Sequence, residues 1–192
     1  MEAQVNVDRD PPRIVDWTLR LEGASALDGA VEAWRPKASA LFGTGTRGAI
    51  LRGEWLGHAI HPALTDLPLG TWTSATLLDL FGGPESAAAA QRLVGVGVLA
   101  AFPTAWTGWA EWNETGRREQ RVGLVHAGTI GVTVGLYAAS WVARRRGRHR
   151  GGARLALAGA AVSSVAAYLG GHLAESRQVA SHHPAYDAPA GG

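Results

Sequence analysis

The chain has no cysteine. Disulfides, thiolate nucleophiles, cysteine-bound zinc and iron–sulfur ligation are therefore excluded within it. Lysine is nearly absent as well: of 18 lysine and arginine residues only Lys37 is a lysine, and the formal net charge is just +2. The arginines gather between apolar stretches, a distribution that suits a membrane protein and argues against a nucleic-acid partner. The first residues, MEAQVNVDRDPPR, contain no apolar core of the kind a cleavable signal peptide needs. No serine stands beside a histidine in a way that points to a hydrolytic triad. The GVGVL run is no dinucleotide fingerprint, because no strand precedes it.

What the sequence does have is long apolar runs. A mean hydropathy of -0.01 looks soluble only because polar ends dilute the middle. Four segments approach the ~20 apolar residues that cross a bilayer: about 59–82, 88–110, 122–143 and 155–174. The first is the least apolar, carrying Asp66 and Asp79 together with Pro62 and Pro68; the third and fourth carry no formal charge. A soluble bundle would show polar faces at helical spacing, and those two segments show none. Small residues recur on the third at Ala127, Gly131 and Gly135, the pattern by which membrane helices approach closely. Trp106, Trp109 and Trp112 mark one end of the second segment as an interfacial belt would. The expected fold is all-α, a four-helix transmembrane bundle over residues 58–175. A small polar, amphipathic cap precedes it at 1–57, and a flexible tail follows at 176–192.

Within the cap, residues 15–21 (VDWTLRL) alternate apolar and polar as a short strand would. Ser25 is placed to cap a helix over about 26–35 that aligns Leu27, Val31 and Trp34, with Pro36 just beyond it. The expected location is a bacterial inner membrane, crossed several times. The arginine-dense loop from Arg144 to Arg154 is expected to be cytoplasmic.

Alternating helices bring His58, His61, His126 and His172 to one membrane face. His58 and His61 open the first helix, His126 lies about 7 Å below that face at 1.5 Å per residue, and His172 closes the fourth helix. Asp66 falls about 10 Å below the same face. Ionisable groups at membrane depth persist mostly where they pair, bind or move protons, and neutral imidazole is a ligand for haem iron, zinc and copper. Three readings follow. One is b-type haem held by two histidines drawn from His61, His126 and His172, with His58 as alternate ligand and Asp66 orienting an imidazole or handling protons. Another is a zinc or other transition-metal site on the same histidines and Asp66, making a membrane enzyme. In the third, the polar groups merely hydrogen-bond across helices. Gly128, Gly170 and Gly171 are expected to make room for a macrocycle. His149, in the arginine loop, and His182–His183, in the tail, are expected to carry no function.

The segment GEWLGHAIHPALTDLPLGTWTSATLLDL (53–80), with VGLVHA (122–127), LYAASWVARRRG (136–147) and YLGGHL (168–173), resembles a bacterial family of predicted four-helix membrane proteins, domain of unknown function 2231. The likeness covers about residues 50–175. The family's first motif resembles G-H-P-x-H-P-x-x-T-D-x-P-x-G; here Ala59 stands in place of its first proline, and His58, His61 and Asp66 remain. Members resemble small membrane cytochromes in helix number and histidine placement, and some are joined to Rieske-type domains. The resemblance implies an electron-transfer setting; the partners expected of this chain are the lipid bilayer and a separate redox protein or a quinone. Self-association stays open.

Overall fold

The computed structural model describes residues 10–180 and 182–187. Among these residues there are seven α-helices and no strand: α1 Arg13–Glu22, α2 Asp28–Ala38, α3 Gly45–Arg52, α4 His61–Phe81, α5 Ala87–Trp112, α6 Arg117–Arg145 and α7 His149–Gly171. A π-helical turn, His172–Ser176, continues α7. The long helices form two antiparallel hairpins, α4–α5 and α6–α7, packed side by side. Pro62, at the start of α4, lacks only an N–H that the first turn would leave unbonded anyway. Gly83 and Gly147 turn the two hairpins with φ of 70° and 75°, a region costly to any residue with a side chain.

The two hairpins are copies of one pattern. Adding 65 to a position in α4 gives its counterpart in α6, so the buried residues Pro68, Trp72 and Ala75 correspond to the buried Thr133, Tyr137 and Ser140. Adding 62 carries α5 into α7: Ala90, Val94, Gly97, Ala101, Thr104 and Thr107 map onto Gly152, Ala156, Gly159, Ser163, Ala166 and Leu169, all buried. The sequence carries the same repeat as R-L-x3-G-x7-A-[W/Y]-x-G, at Arg92–Gly108 and again at Arg154–Gly170. Counterparts meet across the shared axis. Trp72 stacks on Tyr137 at 4.1 Å between centroids and 5° between planes. Asp79 holds Arg144 through both guanidinium Nη atoms, Nη1 at 2.8 Å. Each ring of the stack lies on a glycine of its own hairpin, Trp72 on Gly97 and Tyr137 on Gly159, where a Cβ would come within 2.3 and 3.0 Å.

Helices α5, α6 and α7 are long and apolar enough to span a bilayer, in segments Pro84–Trp112, Arg117–Arg145 and His149–Ser176. The expectation of four such spans is corrected to three, because α4 carries two aspartates, a histidine, four threonines and a serine in 21 residues. Helices also outrun the apolar runs: α6 begins at Arg117 and α7 at His149, since charge ends a span but does not end a helix. Arg144 is not a loop residue; its side chain is 1% exposed, locked to Asp79.

The described part of the cap, residues 10–57, is built of helices joined by short turns. Residues 15–21 lie in α1, not in a strand, because seven alternating residues fit both periods; Thr18 and Glu22, four apart, form its buried line. Ser25 opens a 3-10 turn and caps nothing, and Pro36 lies inside α2 rather than beyond it. Val31 is fully buried against Trp112, and Trp34 meets Trp109 at 5.3 Å, seating α2 on the end of α5. The last residues of the expected tail, 188–192, lie outside the described residues; Pro184–Asp187 forms a 3-10 turn.

Candidate functional site: a two-histidine cavity

At the end of the bundle beneath the cap lies a cavity of about 340 Å³ walled by α4, α5, α6 and α7. His61 and His126, counterparts in the repeat, both line it; Trp72 stands deeper, and Trp109, Trp112, Leu173 and Val179 close the capped end. His61 Nδ1–H donates to the Thr104 carbonyl at 2.9 Å, with Thr107 Oγ1 at 3.1 Å. His126 Nδ1–H donates to the Ala166 carbonyl at 2.9 Å. Thr104 and Ala166 are themselves counterparts, so each hairpin ties its histidine in the same way. A carbonyl only accepts, so Nδ1 carries the proton in both rings. In the neutral imidazoles Nε2 is then a lone-pair donor, the tautomer metal-ligating histidines adopt when a carbonyl holds the other nitrogen.

Glycine makes this possible. A Cβ at Gly108 would stand 2.8 Å from His61 Cε1, and one at Gly170 would stand 3.1 Å from His126 Cε1. Gly170 is the expected room-maker; Gly128 and Gly171 would meet nothing within 4 Å. Glu111 and Glu119 also line the cavity, and no lysine or arginine does. Among the described residues no three His, Asp or Glu side chains come together as a metal-holding group.

The other predicted site residues are elsewhere. His172 bonds Glu22 through Nε2 at 2.7 Å, and Arg177 reaches both oxygens of the same carboxylate at 2.6 and 2.5 Å. Together with the Thr18–Tyr168 hydroxyl pair at 3.0 Å, this clamp fastens α1 to the end of α7. Burial pushes the Glu22 carboxyl up, but hydrogen bonds from Arg177 and His172 outweigh it and hold the group below its ordinary 4.5. His58 is exposed, with Nδ1 against its neighbour's Ala59 carbonyl at 3.0 Å and its backbone bridged to His182. Asp66 is exposed and does not line the cavity. Counting depth gave its height but not its azimuth: five residues beyond His61 turn the helix through about 140°, away from the inward face. His172, six beyond Ala166, is rotated off the inward face of α7 for the same reason. His149 is exposed at the start of α7.

Gly108, Trp72 and Tyr137 escaped the sequence reading, although the repeated R-L-x3-G-x7-A-[W/Y]-x-G pattern points to the first directly. A family model described as predicted membrane protein, DUF2231, matches residues 57–183. The chain belongs to that family. The family is described as predicted membrane proteins, in keeping with the three helices long and apolar enough to span a bilayer. No curated protein and no solved structure matches the chain.

Proposed function

We propose that the chain is a small electron-transfer protein of the bacterial inner membrane, with α4 completing a four-helix bundle and a b-type haem held between His61 and His126. One observation carries this reading: two imidazoles related by the repeat face one cavity, each with Nδ1 tied to a backbone carbonyl and Nε2 left as donor. Haem so held supplies a one-electron couple. The protein's share is orientation, through the Thr104 and Ala166 carbonyls and the glycine notches, and exclusion of water by the tryptophan-lined walls. The ligand pair reduces from three candidates to two, because His172 is engaged by Glu22.

The lining favours a second reading at one point. Glu111 and Glu119 place carboxyl groups, and no cation, where two haem propionates would need positive charge, whereas zinc or another transition metal bound directly by the imidazoles would be helped by a carboxyl ligand. Protein purified in mild detergent from haem-replete cells separates them. A Soret band with a sharp reduced α-band, lost in His61→Ala and in His126→Ala, supports haem; a colourless protein carrying stoichiometric metal supports the second reading.

A further inference from the structure

We infer that the seam between α4 and α7 is a lateral pocket for the headgroup of a lipid-soluble quinone. The repeat generates two equivalent seams, α5–α6 and α4–α7, and they differ. The first is closed at Trp141, which packs onto Gly95, whose Cβ would come 2.7 Å from the indole nitrogen; Val98 packs against the core beside it, and Phe102 stands exposed at the next position of α5. The counterparts of Trp141, Val98 and Phe102 are Thr76, Ala160 and Ser164. Helices α4 and α7 accordingly pack less closely than α5 and α6, and a cavity of about 260 Å³ opens between them. Two aromatic or branched side chains and one indole have given way to two hydroxyls and a methyl at the same three places.

The lining selects the ligand. It contains the hydroxyls of Thr73, Thr76, Tyr137, Ser163 and Ser164 and no charged side chain. Thr76 and Ser164 donate to their own helix, and the Thr76 oxygen accepts from Tyr137, which leaves the Ser164 oxygen as an acceptor. Hydroxyls offer both donors and acceptors, which suits the carbonyls of a quinone and the hydroxyls of a quinol alike. The stacked Trp72–Tyr137 pair forms an aromatic wall. A phospholipid headgroup would need a cation, and the lining supplies none. The mouth is lateral: Thr73 and Ser164 are exposed on the sides of the helices rather than at the bundle's ends, so an apolar tail would remain among lipid chains. The pocket shares Leu69, Trp72, Ser163 and Ala167 with the histidine cavity, which sets the ring beside the proposed haem. Its meaning as a redox contact rests on the haem reading; quinone binding itself does not.

The test titrates detergent-solubilised protein with decylubiquinone and measures bound quinone by equilibrium dialysis. Wild type should bind one per chain. Copying the closed seam into the open one, with Leu157→Gly, Thr76→Trp, Ala160→Val and Ser164→Phe together, should weaken binding at least about tenfold, and the single Ser164→Leu at the exposed mouth should weaken it in the same direction. The visible spectrum should not change in either. His61→Ala with His126→Ala should keep quinone binding, so loss of haem and loss of quinone are separately visible. The inference is overturned if wild type binds no quinone, if both seam variants bind as well as wild type, or if decanol competes as effectively as the quinone.

Discussion

The two ends of the bundle carry the same pair of positions with opposite outcomes. At one end the repeat sets Asp79 against Arg144, and the two side chains close on each other, 8% and 1% exposed. At the other it sets His61 against His126, and each imidazole turns to a carbonyl of its own hairpin, leaving a cavity between them. Complementary charges satisfy each other and complete the fold. Two identical bases lack that complementarity, and each imidazole is satisfied instead by a carbonyl of its own hairpin. Symmetry placed both pairs; chemistry made one a lock and left the other lining a cavity.

The strongest way to test that contrast is at the lock. Arg144→Ala leaves Asp79 buried without its partner and should cost about 3–5 kcal/mol in a detergent unfolding titration. Exchanging the pair, Asp79→Arg with Arg144→Asp, should recover part of the loss, because the charges again face each other; the Arg144 Nε bond to Ser140 is not regained, since the counterpart of Ser140 is Ala75. Equal damage from the single change and the exchange would remove the symmetry from the explanation. Next in size is the site's own packing. Gly108→Ala forces the His61 ring aside and should cost about 1–3 kcal/mol, with Gly170→Ala milder because its contact is 3.1 Å rather than 2.8 Å; any cofactor band should shift in both.

The Glu22 clamp should contribute about 1–2 kcal/mol as a charge-assisted hydrogen-bond set. Because the folded group titrates below 4.5, this stability is complete above pH 4.5 and lost as pH falls through the lowered value. Acid unfolding profiles of wild type and Glu22→Gln should therefore converge at low pH and separate above it. Smallest of all, Asp66→Asn should change stability by no more than about 0.5 kcal/mol and leave any spectrum untouched, which an unfolding titration and an absorption scan check together.

The helical class and the three apolar spans were readable because apolar runs of bilayer length have few alternative explanations. The fourth span was not, because α4 interrupts its apolar residues with polar ones, and of the three cap helices only α2 was expected. The shared end of the histidines followed from direction alone. Azimuth was not readable by depth counting, which is why Asp66 and His172 were grouped with His61 and His126 until the helices were packed. The α1 pattern was too short to decide between two periods. The repeat was legible in the arginine–leucine and glycine spacings, but its meaning, that Trp72 meets Tyr137 and Asp79 meets Arg144, appears only when the hairpins lie side by side. The open seam is a difference between copies, so it becomes visible only after the copies are aligned.

The central claim is that His61 and His126, and not His58 or His172, hold one haem per chain. Titrating haem-free protein with haemin, and following the Soret band of wild type and the four single histidine-to-alanine variants, tests it most directly. The account predicts a one-to-one endpoint for wild type, His58→Ala and His172→Ala, with no six-coordinate band in His61→Ala or His126→Ala. A wild-type titration without an endpoint, or one abolished by His172→Ala and unaffected by His126→Ala, would contradict it.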